Sequence, residues 1–188
     1  MITMTRVAPL ALAALLCSAS VLGKLGAPGG PRKLHHDIAD SFKVIENFPY
    51  TVAISDSDND TVFECVAANR TEIDPEAQTA TFVWLFQGNE NSPKQDIPFY
   101  VKTGEEPGTL LFSVEGDPTV REGRYYYTDY KTCVVLDMEY HGHQCILWTQ
   151  RAVKDNVPQH CIDQFVDTCG VVPPPHSRDL CPDGEGDY

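Results

Sequence analysis

The sequence predicts an all-β fold: an eight-stranded antiparallel up-and-down barrel with a short N-terminal helix and a C-terminal helix packed outside. Three observations predict it. Eight segments rich in Val, Thr and aromatics, several with period-two alternation, follow one another within about 100 residues. The turns between them are short and polar or contain Gly and Pro, which leaves no room for the crossover helices of a parallel sheet. One helical pattern then closes the series. A barrel of eight strands has an interior that side chains fill or that holds one small ligand. An Ig-like sandwich is the competing reading. The C-terminal helix weakens it, as does the lack of a Trp between two pairing cysteines at the usual spacing.

The elements follow in order. Met1 to Gly23 carries Arg6, an apolar run from Val7 to Leu16 and then small residues, the layout of a secretory signal peptide cleaved after Gly23 or after Ala19. The run is short for a membrane span of about 20 residues. Residues 24–36, rich in Gly and Pro, read as a flexible mature N-terminus. From Asp37 to Asn47 a short helix is expected, with Ile38, Phe42 and Ile45 on one face. Strands are expected at Tyr50 to Ser55, Thr61 to Ala68, Thr79 to Gln87, Ile97 to Lys102, Thr109 to Glu115, Gly123 to Thr128, Thr132 to Glu139 and Cys145 to Val153. A helix should begin at Pro158, carry Ile162, Phe165 and Val166, and stop at Gly170 before Pro173-Pro174-Pro175. The folded domain spans 37–181, and 182–188 form an acidic tail.

Composition excludes whole classes of function. Acidic residues number 27 against 14 basic ones, a net charge of −13. Nucleic acid and anionic membrane surfaces need clusters of Lys and Arg, so neither is an expected partner. A monomer is the default for so charged a small domain. Seven cysteines are present. Cys17 leaves with the signal, and Cys65, Cys133, Cys145, Cys161, Cys169 and Cys181 remain, an even set that reads as disulfides in a secreted, extracellular chain. No CxxC pair suggests zinc. Asn59-Asp60-Thr61 and Asn69-Arg70-Thr71 are acceptors for N-glycans, at Asn59 and Asn69.

Motifs for catalysis are missing: no GxSxG, P-loop, GxGxxG or HExxH occurs, so no enzyme and no cofactor is expected. Asp56, Asp58 and Asp60 imitate the start of a calcium loop, but Thr61 stands where Gly is needed and Ala67 where Glu is needed. His35-His36 and His141-Gly142-His143 lack a further ligand and read as solvated segments rather than a metal site. The aromatic rows carry more information. Phe82, Trp84 and Phe86 alternate along one strand, Tyr125 and Tyr127 along another, Ile146 and Trp148 along the last. Such rows either close a core or line a pocket. Each tyrosine needs a partner for its hydroxyl when buried.

Further motifs carry a resemblance. Asp129-Tyr130-Lys131-Thr132-Cys133-Val134-Val135-Leu136 is followed by Cys145-Ile146-Leu147-Trp148, then by Val157-Pro158-Gln159-His160-Cys161 and a helix with Phe165 and Cys169. Upstream stand Asp40-Ser41-Phe42-Lys43 and Phe63-Glu64-Cys65-Val66. This series resembles the tick salivary lipocalins, the family that includes the histamine-binding proteins. The resemblance covers roughly Asp37 to Cys181 and places Phe63 to Val66 on the second strand. It implies the bridges Cys65–Cys181 and Cys133–Cys161, leaving Cys145–Cys169. Parity agrees with the last: if Ile146 and Trp148 point inward, Cys145 and Leu147 point outward, where a helix packs.

The resemblance also implies a function, the sequestering of a small host mediator in the barrel without turnover. Amine-binding members carry a carboxylate two residues before the Trp of the last-strand motif, where this chain has Ile146, and an aromatic before it, where this chain has Cys145. The family's Trp on the first helix is Phe42 here. A buried ammonium needs an opposed carboxylate; Asp129, Asp137 and Glu139 are the substitutes the sequence offers. The preferred ligand is therefore a lipid such as an eicosanoid, fatty acid or sterol, with Phe42, Phe82, Trp84, Phe86, Tyr125, Tyr127, Ile146 and Trp148 as the binding set. Histamine or serotonin is the alternative. A second alternative is an immunomodulator that acts on a host protein or immune cell through its outer surface.

Overall fold

The computed structural model describes residues 37–57, 63, 65–86 and 93–171. The elements are α1 (Ser41–Asn47), β1 (Tyr50–Ser55), β2 (Ala67–Asp74), β3 (Thr79–Phe86), β4 (Gln95–Thr103), β5 (Thr109–Val114), β6 (Asp117–Thr128), β7 (Cys133–Glu139), β8 (His143–Gln150) and α2 (Gln159–Cys169). Consecutive strands pair antiparallel, and β8 returns to pair with β1, so the sheet closes into the expected eight-stranded barrel. Closure removes the unpaired edges that an open sheet would expose. Among the described residues no helix is long and apolar enough to cross a membrane.

Two apolar clusters divide the molecule. One fills the barrel and includes Ala53, Trp84, Phe99, Phe112, Leu136, Ile146 and Trp148. The other lies between the outer wall and α2, and includes Val52, Ile54, Val135, Leu147 and Phe165. This explains the near-continuous apolar runs Val134-Val135-Leu136 and Cys145-Ile146-Leu147-Trp148: β7 and β8 bury both faces, with α2 packed on them. The distal part of β2 instead faces water from Thr71 to Asp74, where every residue but Ile73 is polar.

Helix α1 closes one end of the barrel. Asp40 caps its N-terminus by accepting from the Lys43 N–H at 3.0 Å. Its last carbonyls would otherwise lack partners. Arg70 Nη1 donates to the carbonyls of Ile45 (2.6 Å) and Glu46 (2.9 Å), and Gln150 Nε2 donates to that of Asn47 (2.7 Å). The helix is thus riveted to β2 and to the end of β8, with Val44, Ile45 and Phe48 buried at the barrel floor.

Several boundaries differ from the sequence expectation. The first helix starts at Ser41, so Ile38 lies before it and is exposed rather than sharing a face with Phe42 and Ile45. The second strand begins at Ala67 rather than Thr61. Phe63 and Cys65 therefore lie before β2, not on it, and Cys65 takes a left-handed conformation with φ of 64°. The chain still touches β1 there: Ala53 N–H donates to Val66 O, and Cys65 N–H to Ala53 O, each at 2.9 Å. Phe63, Cys65 and Val66 are buried although they precede the β2 ladder. β6 extends back to Asp117, well before Gly123, because the turn centred on Gly116 (φ 79°) returns directly into it. β8 ends at Gln150 and a single 3₁₀ turn, Arg151–Val153, follows. Pro158 precedes α2 as its N-cap, and Gly170 ends it in the left-handed conformation.

Candidate functional site

The barrel interior is built by strand parity. On β3, Phe82, Trp84 and Phe86 pack on the inner cluster. On β8, Ile146 and Trp148 point inward while Cys145 and Leu147 join the outer cluster. Trp84 sits at the centre, stacked on Phe99 (ring centroids 4.0 Å apart) and tilted against Trp148 (4.8 Å). Aromatic rings thus fill most of the middle of the barrel.

A cavity of about 70 Å³ remains beside them, towards α1. Its wall comprises Val44, Ile45 and Phe48 from α1 and its C-cap, and Thr51, Ala68, Phe82, Trp84, Phe99, Val101, Leu110, Tyr125, Val134, Leu136, Met138 and Trp148 from all eight strands. Four of the eight residues expected from sequence therefore line it: Phe82, Trp84, Tyr125 and Trp148. Phe42, Phe86 and Ile146 pack on the same inner cluster without lining the cavity. Tyr127 is different. It packs on the outer cluster with Tyr126. The register between β6 and β7 slips between Tyr125, opposite Leu136, and Tyr127, opposite Val135. A β-bulge adds one residue to a strand and so reverses its parity. Tyr127 is thereby removed from the site.

Sequence reasoning missed Phe99 and Val101, although their period-two spacing on β4 carried the signal. It also missed the contribution of Val44 and Phe48, and the role of Phe63. At the end of the barrel opposite α1, Phe63 is fully buried and meets Trp84, Phe86 and Tyr140 edge-on, with centroids 5.8–6.0 Å apart. Tyr140, from the β7–β8 turn, also meets Phe99 at 5.1 Å. These rings close the second end. No pattern around Phe63 marked it as a plug, because its role depends on where the chain folds back.

The polar groups of the cavity are few. Tyr125 lines it, and burial pushes its phenol up from the ordinary tyrosine range, so the hydroxyl keeps its proton. Trp148 is 4% exposed, and its indole Nε1 is buried without a hydrogen-bond partner. None of the described lining residues is Asp, Glu, Lys, Arg or His.

The carboxylates offered by the sequence lie elsewhere. Asp137 and Glu139 share the outward parity of Cys133 and Val135 on β7. Burial pushes the Asp137 carboxyl up, while His143, with Nε2 2.7 Å from Oδ2, pulls it down. Asp129 organises the β6–β7 turn. Its Oδ1 accepts from the N–H groups of Lys131 (2.9 Å), Thr132 (2.7 Å) and Cys133 (3.1 Å), and its Oδ2 accepts from the Thr132 hydroxyl. Partial burial raises its pKa, but these bonds outweigh that and hold the carboxyl well below the usual range. His160 Nε2 lies 3.2 Å from the same Oδ2.

Asp129, Cys133, His160 and Cys161 crowd together as a metal site would. Both sulfurs, however, belong to the Cys133–Cys161 disulfide and offer no thiolate. The Cys145–Cys169 bridge ties β8 to the end of α2. Cys65 is also disulfide-bonded; the bridge Cys65–Cys181 falls outside the described residues, as do Asn59, His35 and His36. Asn69 lies half-buried on β2, paired with Tyr50 and Val83.

No curated protein matches the chain. Among solved structures it is similar to apocrustacyanin C1, at 12% identity and a TM-score of 0.48, over 69% of this chain and 78% of that one. The family model described as tick histamine binding protein matches residues 32–178, which takes in every strand, both helices and the two bridges that fasten α2. The chain belongs to the tick histamine-binding protein family.

Proposed function

We propose that this protein is a secreted, salivary binding protein that captures a small host mediator in its barrel and thereby blunts haemostatic, inflammatory or immune defence. The preferred ligand is largely apolar, a lipid of the eicosanoid, fatty-acid or sterol kind. One observation carries this reading: apart from the Thr51 hydroxyl and the polar tips of Tyr125 and Trp148 the cavity wall is apolar, with no carboxylate among its described residues. An ammonium moved into it would lose its hydration without gaining a counter-ion, at a cost of several kcal/mol. Histamine or serotonin capture is therefore disfavoured, even within a family that carries that name. The protein acts by stoichiometric binding, and no described residue set suggests turnover.

Occupancy has a structural requirement. A cavity of about 70 Å³ is smaller than the ~300–1,000 Å³ typical of ligand sites. A lipid fits only if aromatic side chains such as Trp84 and Phe99 swing aside, as an apolar core of stacked rings permits when a ligand replaces the lost contacts. The same narrowness supports a second reading, in which the barrel is a filled scaffold and its outer surface engages a host protein or immune cell.

Mass spectrometry under native conditions, on the protein expressed through a eukaryotic secretory pathway, separates the two. Capture predicts an added mass that organic extraction removes and identifies as a lipid. A protein that stays ligand-free after incubation with mixed host lipids supports the filled scaffold. Tight stoichiometric uptake of histamine with no lipid uptake would reverse the ligand preference.

A further inference from the structure

Trp148 Nε1 is a buried donor with no acceptor, and Tyr125, whose phenol keeps its proton, lines the same cavity. A buried donor without a partner costs stability. The Trp148 donor, with the Tyr125 hydroxyl on the same lining, is best explained by an acceptor that arrives with the ligand. The surrounding wall holds no charged side chain among its described residues, of either sign. That second fact constrains the acceptor. An ionised carboxylate in this cavity would exchange water for two neutral donors and no cation, which is poor compensation for a desolvated charge. A hydroxyl, ester or amide oxygen needs only a hydrogen bond or two, and those donors supply them.

We propose that the barrel selects electrically neutral lipids that carry a hydrogen-bond acceptor, and that Tyr125 and Trp148 read that acceptor. The inference rests on the barrel-capture reading and narrows it: an ionised fatty acid or eicosanoid becomes a poor ligand, and an alcohol, ester or amide of the same chain a good one. Tyr125 keeps its proton throughout the physiological range, so its role as donor does not change with pH. The acid ligands are what titrate. A carboxylic acid binds better as falling pH neutralises it, while an alcohol is indifferent.

The test is a titration of the full secreted protein with four probes that share a ten-carbon chain, decanol, methyl decanoate, decanoate and decylammonium, followed by tryptophan fluorescence and calorimetry. At pH 7.4, decanol and methyl decanoate should bind at least ten-fold more tightly than decanoate and decylammonium. Between pH 7.4 and pH 5.0 decanoate should gain at least five-fold while decanol changes less than two-fold. Tyr125→Phe should weaken decanol at least three-fold and leave unsubstituted decane within two-fold. Trp148→Phe should do the same where it folds, and the ligand series on the unaltered protein stands without it. Decanoate or decylammonium binding as tightly as decanol at pH 7.4 would overturn the inference while leaving barrel capture intact. Failure of all four probes and of decane to bind would overturn both.

Discussion

Tyr125 and Tyr127 stand two positions apart on β6 and face opposite sides of the barrel wall. Tyr125 lines the internal cavity, and Tyr127 packs against the outer cluster. In a regular strand they would share a face. The bulge between them turns one tyrosine into a cavity group and the other into part of the seam beneath α2.

The first prediction follows directly. Tyr127→Phe should leave the affinity for any barrel ligand within about two-fold, because its ring never meets the cavity. Tyr125→Ala should weaken it by more than about ten-fold, because it removes both a wall and a donor. Calorimetry with the ligand identified from the native protein checks both. Equal effects of the two substitutions would mean the bulge does not separate their faces.

Phe63 is the ring whose loss should be felt most at the end opposite α1. Its full burial against Trp84, Phe86 and Tyr140 places Phe63→Ala among large-to-small core changes that cost about 3–5 kcal/mol. Urea denaturation measures that loss. Phe63→Leu, which keeps most of the volume, should lose clearly less. Stopped-flow mixing should also show faster ligand entry in the alanine variant, since the plug at that end is gone.

Asp129 makes a pH-dependent contribution of known sign. Its folded-state pKa lies below the unfolded value of about 3.9, so its stabilisation is fully present above that value. The stabilisation is lost as pH falls through the lower folded value. Asp129→Ala strips the acceptor from three backbone N–H groups and should cost about 1–3 kcal/mol at pH 7. The gap to the unaltered protein should shrink below about pH 4. Denaturation curves at pH 7, 4 and 2.5 test it; a gap that widens on acidification contradicts the sign.

The two bridges to α2 close loops of 28 and 24 residues. In the chain-entropy model each contributes about 3–4 kcal/mol. Replacing Cys145 and Cys169 together by Ala should lower stability by about that amount, and proteolysis should then nick the end of α2 before the barrel, while Cys133–Cys161 still holds its start. The barrel ladder itself, whose hydrogen bonds do not involve α2, should keep its far-ultraviolet dichroism.

Much of this molecule was legible in residue order alone. Alternation and β-enriched runs gave the barrel, its antiparallel order and most strand limits, because a strand that buries one face must write that face into every second residue. Parity on β8 put Trp148 inside and Cys145 outside, and the helix pattern after Pro158 placed α2 against that outer face. Period two is a local signal, and it fails where the chain leaves the ladder. The bulge at Tyr126 reversed Tyr127, and the inward fold before β2 turned a strand-like run into a plug at Phe63. The size of the hollow was likewise a tertiary matter. The same aromatic rows can surround a space or occupy it. Only the meeting of Trp84 with Phe99 on the neighbouring strand and with Trp148 on the sequence-distant β8 decided that most of the space is occupied and that the wall left over is neutral.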